Sequence, residues 1–280
     1  MMEMLFDLFQ YGFMQRSLIS AVAIAVICSI VGLFLVLKRH SLFGDALAHV
    51  AFGGISLGLF TGIYPLWTAY IVAILSAVGV NKLRESTKIP PDSSVAVLLT
   101  SGLAIGVILI SISGGFTLNL FSFLFGNILL VTIDDVILII ITDAIVIPVI
   151  IILYKKLVLI VFDETQAKVS GVNVTRINTL FIILASITII ASIRLVGVLL
   201  ISSLIVVPNI TALLFGKGFK KTMFISCIIS VFSVIFGILF SYYSNLAPSG
   251  TIVLTMISIF LVTIITKNIK NKYNKIVVTK

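Results

Sequence analysis

The sequence predicts an all-α, polytopic integral membrane protein built as one helical bundle. Hydrophobic residues make up 60% of its 280 residues, and the mean hydropathy is +1.29. Charged residues make up 10%, whereas a soluble domain carries about 25%. The deficit of charge extends along the whole chain, so the composition predicts membrane spans throughout and no separate soluble domain.

The apolar runs divide the chain into nine predicted spans, several of them shorter than the ~20 residues of a straight crossing. We expect an amphipathic lead-in at residues 1–17, a transmembrane domain at 18–266 and a basic tail at 267–280. The spans are 18–37, 45–62, 65–80, 93–113, 133–154, 178–193, 195–215, 222–242 and 250–266.

The basic residues indicate an orientation. Nine crossings place 17 of the 19 Lys and Arg residues on one side, leaving only Arg16 and Arg194 on the other. Because basic loops stay cytoplasmic, we predict a multi-pass protein of the cytoplasmic (plasma) membrane, surrounded by membrane lipid, with its N-terminus outside and its C-terminus inside. The net charge of +9 reflects this topology and does not suggest nucleic-acid binding.

A candidate metal site lies at the start of the second span. Asp45 and His49 are four residues apart, so on a helix they share a face. Both are costly in a membrane without a partner, and both are good ligands for a divalent metal. One interpretation is a metal site in a pore wall, completed by a second copy across a two-fold axis. The alternative is an Asp45–His49 hydrogen bond that closes the helix, with Asp45 favoured at its N-terminus.

Two further positions are candidates for a passage through the membrane. Asp143 lies in the middle of a span, where a carboxylate indicates function by default. An internal hydrogen bond that supports packing is the alternative for this residue. Pro208 interrupts the span 195–215, either as a packed kink or as the hinge of a broken helix.

The outer side carries three less distinctive features. Segment 116–131 is apolar but short, and we expect an outer half-helix packed on the bundle. Arg194 is interpreted as a side chain that snorkels at a helix end. Asp134 and Asp135 are interpreted either as a solvated turn or as a pair that attracts cations or a partner.

The loop between Lys155 and Asn178 contains a predicted amphipathic helix of about two turns. Asp163 is placed as its N-cap, Glu164 and Lys168 form a favourable i,i+4 pair, and Gly171 is a C′ stop. A solvated loop does not need such defined caps. The pattern therefore predicts a docking element for a soluble partner on the cytoplasmic side.

Motifs for nucleotide hydrolysis and zinc proteolysis are missing from the sequence, which has no P-loop and no His-Glu-x-x-His. An enzyme is therefore disfavoured, and no resident cofactor is expected. The residues leave three alternatives: a transporter subunit energised by a separate ATPase, a stand-alone secondary carrier for a cation, or an intramembrane enzyme that uses Asp45 and Asp143. A secondary carrier needs coupling acids in several spans, and only these two acids qualify.

Five stretches in order resemble the permease subunits of bacterial and archaeal zinc/manganese ABC importers, and the resemblance covers nearly the whole chain. It implies an architecture of the type II importers, as in cobalamin and siderophore uptake. The stretches are Leu-Lys-Arg-His-Ser-Leu-Phe-Gly-Asp-Ala-Leu-Ala-His (37–49), Leu-Phe-Gly-Asn-Ile-Leu (124–129), Phe-Asp-Glu-Thr-Gln-Ala-Lys-Val-Ser-Gly-Val (162–172), Leu-Val-Gly-Val-Leu-Leu-Ile-Ser-Ser-Leu-Ile-Val-Val-Pro (195–208) and Ala-Pro-Ser-Gly (247–250).

The resemblance implies roles for particular residues. Asp45 and His49 would line the metal pathway, and 163–172, including Ala167, would be the coupling helix that seats in a groove of the ATPase. The implied assembly is a permease homodimer with two ATPase subunits and an outer metal-binding protein. The expected cargo is a divalent metal, zinc favoured, with manganese and iron as alternatives; a siderophore or cobalamin permease is the runner-up.

Three positions depart from the pattern of this family. Asn127 and Asn245 stand where acids are common, and His40 stands where Met or Ala is usual. The first two changes remove outer-side acids, which weakens any role for those positions in attracting metal.

Overall fold

A computed structural model of the chain describes residues 11–87, 91–113, 123–126, 131–198 and 200–278. Within these ranges the ordered elements are helices, which we number in chain order. They are α1 (Gly12–Leu37), α2 (Phe43–Thr61), α3 (Pro65–Thr87), α4 (Pro91–Ile112), α5 (Ile133–Phe162), α6 (Glu164–Val169), α7 (Val174–Val196), α8 (Ile201–Leu213), α9 (Phe219–Ser244) and α10 (Pro248–Val278).

Each of the nine predicted spans corresponds to one of these helices. Seven are long and apolar enough to cross a membrane, namely α1, α2, α4, α5, α7, α9 and α10. Of the other two, α3 has 23 residues but ends in a polar stretch, and α8 is apolar but has only 13 residues. The predicted fold class, an all-α polytopic membrane bundle, is confirmed.

Two of the predicted boundaries fall inside helices. Helix α1 begins at Gly12, inside the predicted lead-in, and α10 continues through most of the predicted tail. Most of segment 116–131, including Asn127, lies outside the described residues. A sequence window alone does not separate a span from helical turns that extend beyond the hydrocarbon region, because both are helical.

Of the two alternatives left open for Pro208, the structure shows a proline within one helix. Pro208 sits inside α8, and the chain instead turns at Gly197, which has φ +85° between α7 and α8. A Cβ at Gly197 would collide with the backbone of Gly126, so this turn needs a glycine. A proline is tolerated within a membrane helix because neighbouring groups satisfy the freed backbone.

The centre of the bundle is formed by α1, α2 and α7, whose residues are mostly buried, while α5, α9 and α10 are peripheral. Small polar side chains join the helices in the interior. Ser226 of α9 donates to the side-chain oxygen of Asn209 of α8 (2.7 Å) and lies 3.3 Å from Ser29 of α1. Such interhelical hydrogen bonds hold membrane helices together, because lipid tails are as apolar as the helix surfaces.

The two ends of the bundle have different chemistry. At one end, Lys38 after α1 donates to Asn178 of α7 (2.5 Å), and the Phe219 ring at the start of α9 contacts Phe34 of α1. We call this the basic end, because the loops that carry most of the lysines and arginines meet there. At the opposite end, the start of α3, the start of α5 and the end of α7 are joined through Arg194.

Candidate metal-pathway site and coupling helix

Asp45 and His49 lie on the first two turns of α2, just after the turn that follows α1. Arg39 has a left-handed backbone in this turn (φ 60°), and the His40 N–H donates to the carbonyl of Leu35 (2.8 Å). Helix α2 has no side-chain N-cap, and Asp45 is the acid of its first turn. A carboxylate at this position is stabilised by the positive end of the helix dipole.

The two side chains face each other without a hydrogen bond. Asp45 Oδ1 lies 3.8 Å from His49 Nε2, which is beyond hydrogen-bonding distance. The His49 side chain is 15% exposed and that of Asp45 is 28% exposed. The buried Nδ1 of His49 has no hydrogen-bond partner among the described residues. The pair therefore leaves ligand atoms available, and the helix-closing hydrogen bond considered from the sequence is not formed.

Glycines allow the neighbouring helices to approach α2 closely around this pair. A Cβ at Gly102 of α4 would lie 2.6 Å from the Cα of Val50 and 2.9 Å from the carbonyl carbon of His49. On another face of α2, a Cβ at Gly54 would lie 2.7 Å from the Cα of Ala69 in α3. Gly54 and Gly58 form a Gly-x-x-x-Gly pair, and both glycines lie close to α3 of the same chain.

Residues 54–58 also match the Gly-x-Ser-x-Gly spacing of a hydrolase nucleophile elbow. An elbow requires a sharp turn between a strand and a helix. Here the five residues lie within α2, and the buried Ser56 hydroxyl donates to the carbonyl of Phe52 (2.9 Å). The serine is therefore a packed helix residue.

One chain supplies two ligands to this site. Among the described residues, no three His, Cys, Asp or Glu side chains group closely enough to hold a metal ion. Asp143 therefore does not join Asp45 and His49. A transition metal such as Zn²⁺ prefers four ligands, so this pair alone would not complete such a site.

Asp143 and Pro208, the two other pathway candidates, lie in different environments. Asp143 is half-buried in α5, and its buried Oδ1 has no hydrogen-bond partner among the described residues. Pro208 is buried in α8 beside Asn209, whose side-chain amide donates to the Ile205 carbonyl (2.7 Å). Pro208 thus belongs to the packed interior described above.

The predicted docking helix is present as α6, with the caps expected from the sequence. Asp163 accepts a hydrogen bond from the Gln166 N–H (2.8 Å), and Glu164 pairs with Lys168 (2.7 Å). At the other end, Gly171 has φ +79°, and the Val172 N–H donates to the carbonyl of Ala167 (3.0 Å).

These last contacts form a Schellman motif, with a second bond from the Gly171 N–H to the Lys168 carbonyl (3.1 Å). Ala167 is fully buried, whereas Glu164 and Lys168 are exposed. Helix α6 therefore sits against the bundle through Ala167 and presents charged groups to the outside.

A cavity of about 280 Å³ at the basic end connects α6 with the turn before α2. Glu164 of α6 and residues 38–40 line it together, with Asn81 of α3 and Asn178 of α7. Residues 38–40 lead directly into α2, so α6 and the segment that precedes Asp45 line one cavity.

Sequence reasoning missed an ion pair at the opposite end. Arg194 donates to the buried carboxylate of Asp135, and the same guanidinium donates to the Tyr64 hydroxyl (3.0 Å). Asp135 also completes a capping box with Thr132 at the start of α5. Arg194 is therefore a bridging residue and not a snorkelling one, and Asp135 is not part of a solvated turn. The Thr-x-x-Asp spacing was a signal for the cap, but no local signal indicated the pair.

Together these features define a multi-pass membrane permease. The family model described as "ABC 3 transport family" matches residues 10–267, and the chain belongs to this family. A protein of Treponema pallidum (strain Nichols) named "Probable metal transport system membrane protein" is 34% identical over 255 residues, covering 91% of this chain and 96% of that protein. The manganese import system permease protein ScaB of Streptococcus parasanguinis is 32% identical over 273 residues, with 97% of each chain covered.

A solved structure shares the fold. In PsaBC from Streptococcus pneumoniae in complex with Fab, one chain matches with a TM-score of 0.84 and 30% sequence identity. The match covers 94% of this chain and 95% of that chain. The resemblance to ABC importer permeases noted from the sequence is thereby confirmed.

Proposed function

We propose that the chain is the membrane-spanning subunit of an ATP-driven importer for a divalent transition metal. The observation that supports this most directly is the geometry of the Asp45–His49 pair. Asp45 Oδ1 lies 3.8 Å from His49 Nε2, and His49 Nδ1 has no hydrogen-bond partner among the described residues, so ligand atoms are available. Carboxylate and imidazole suit manganese, iron and zinc alike, so the ligands alone do not identify the transported metal. Relatives named for manganese transport favour Mn²⁺ over the zinc expected from the sequence.

The working unit that we propose is a homodimer. Each chain supplies Asp45 and His49, and a two-fold axis would bring two carboxylates and two imidazoles to one ion. Binding requires neutral imidazole and ionised carboxylate. In this scheme the basic end faces the cytoplasm of the cell, and a metal-binding protein delivers the ion at the opposite end.

Energy for transport would come from separate ATPase subunits. The sequence has no P-loop, and α6 offers a capped, charged surface at the basic end. We propose that Asp163, Glu164, Ala167, Lys168 and Gly171 build this coupling surface, with Ala167 anchoring it from beneath. ATP binding by the partner would displace α6 and the start of α7 that follows it, and the Lys38–Asn178 hydrogen bond would carry the motion to the turn before α2.

Electron paramagnetic resonance of Mn²⁺ tests this proposal on the purified protein. Titration should saturate at one tightly bound Mn²⁺ per two chains, and Zn²⁺ competition ranks the two metals. Asp45→Asn and His49→Gln should each weaken binding at least about tenfold. Asp134→Asn, which removes an exposed acid at the other end, is the control that should bind normally. Unchanged binding in both site variants would refute the site, and one ion per chain would refute the shared arrangement.

A further inference from the structure

An apolar groove runs along the outer face of the bundle between α1, α5 and α9. Its volume is about 440 Å³. The side chains that line it include Ile30, Ile151, Tyr154, Lys220, Phe224 and Cys227. We call it the α5–α9 groove, and it is separate from the Asp45–His49 site, which lies among α2, α3 and α4.

The groove opens toward the hydrocarbon region of the membrane. Ile151 and Phe224 line it and are 67% and 68% exposed. From Lys220 to Cys227 it follows two turns of α9, about 10 Å, or a third of the ~30 Å hydrocarbon thickness. The groove is apolar, as is a lipid acyl chain. It also runs along a membrane helix, which is the direction in which an acyl chain lies.

The mouth of the groove is positively charged. Lys220 Nζ lies 5.9 Å from the centre of the Tyr154 ring, at the basic end. Four more exposed lysines lie on the same ends of α5 and α9, and neither 154–162 nor 215–227 contains an acid. The four are Lys155, Lys156, Lys217 and Lys221. A basic pocket between helices at the membrane surface attracts anionic headgroups.

We propose that the α5–α9 groove binds an anionic phospholipid, with one acyl chain in the groove and the headgroup phosphate at Lys220. Charge complementarity favours an anionic lipid over a neutral one, because its headgroup carries a net negative charge that would face the lysines at the mouth of the groove. A second copy of the chain would instead need an acid to meet these lysines. The proposal does not depend on the transported ion.

The position of the groove links the lipid to the docking helix. The Phe219 ring, which begins α9, lies 5.6 Å from the Tyr154 ring and 6.4 Å from the Phe162 ring. Phe162 ends α5, and α6 begins only two residues later. A lipid between α5 and α9 therefore lies against α5, the helix that leads into α6, so anionic lipid should also raise coupled ATPase activity.

Quenching of a reporter tryptophan by brominated lipid tests the binding. The single tryptophan, Trp67, is removed as Trp67→Phe, and Phe224→Trp places the reporter in the groove. The protein is reconstituted into vesicles containing either dibrominated phosphatidylglycerol or dibrominated phosphatidylcholine. We expect phosphatidylglycerol to bind about fivefold more tightly at the reporter.

Three variants in this background separate the groove from general surface charge. Lys220→Gln should abolish the preference, Lys220→Arg should keep it, and Lys267→Gln, the same charge change at an exposed position of α10 away from the groove, should keep it too. Equal quenching by both lipids in the parent protein would overturn the proposal, as would equal losses in Lys220→Gln and Lys267→Gln. Protection of the reporter from both lipids would show that protein covers the groove and would overturn it as well.

Discussion

Arg194 and Asp135 form an ion pair that joins the end of α7 to the start of α5, although 59 positions separate them in the sequence. Asp135 is the more buried partner, with its side chain 7% exposed against 36% for Arg194. The hydrogen bond from the same guanidinium to Tyr64 adds the start of α3. Three helices are thus fixed to one another at the end opposite to α6.

Asp135→Ala should destabilise the protein by about 2 kcal/mol, because it removes the capping box of α5 and leaves Arg194 without its carboxylate. Thermal unfolding in detergent, followed by reaction of the buried Cys28 with a thiol dye, measures the change. Asp134→Ala removes the exposed neighbouring acid and should cost under about 0.5 kcal/mol. Equal losses in the two variants would contradict a specific role for Asp135.

Gly102→Ala should push α4 away from α2 and disturb the Asp45–His49 pair. The added Cβ would meet the backbone of Val50 and His49, and backbone cannot move aside as a side chain does. We expect a loss of about 1–3 kcal/mol and weaker Mn²⁺ binding. Gly79→Ala in α3 is the matched control: nothing lies within 4 Å of its Cβ, so the change should be neutral or slightly stabilising. Wild-type Mn²⁺ binding by Gly102→Ala would show that the site does not need the close approach of α4 to α2.

Ser226→Ala should cost about 0.6–1.5 kcal/mol, because it removes the hydroxyl that connects Asn209 of α8 with Ser29 of α1. The same substitution at Ser258, which is exposed on α10 and bonds only its own helix, should leave the melting temperature almost unchanged. If Ser226→Ala melts like Ser258→Ala, the interior network contributes nothing measurable to stability.

Asp163→Ala should weaken association with the ATPase, whereas Asp163→Asn should preserve it. Alanine cannot accept the Gln166 N–H bond and costs about 1 kcal/mol of cap stability, while asparagine is an equally good N-cap. Co-purification of the ATPase with each variant measures the effect. Equal loss in Asp163→Asn would assign the role to charge instead of to capping.

Much of the fold was readable in the sequence, because its signals are local. Apolar runs gave nine spans, and the cap residues of α6 gave a helix with both ends nearly right. For Pro208 the sequence left a packed kink and a hinge open, and the structure places this proline inside α8. The actual turn depends on the contact of Gly197 with Gly126, 71 positions away, which no window along the chain contains.

The spacing of four residues is enough to place Asp45 and His49 on one helix face, because that spacing is about one helical turn. Their separation of 3.8 Å without a hydrogen bond, with α4 held close by Gly102, follows from how the helices pack. The Arg194–Asp135 pair and the α5–α9 groove also form only when the helices pack together. The physical reason is range: helix periodicity acts over a few residues, whereas ion pairs and grooves form between side chains that folding alone brings together.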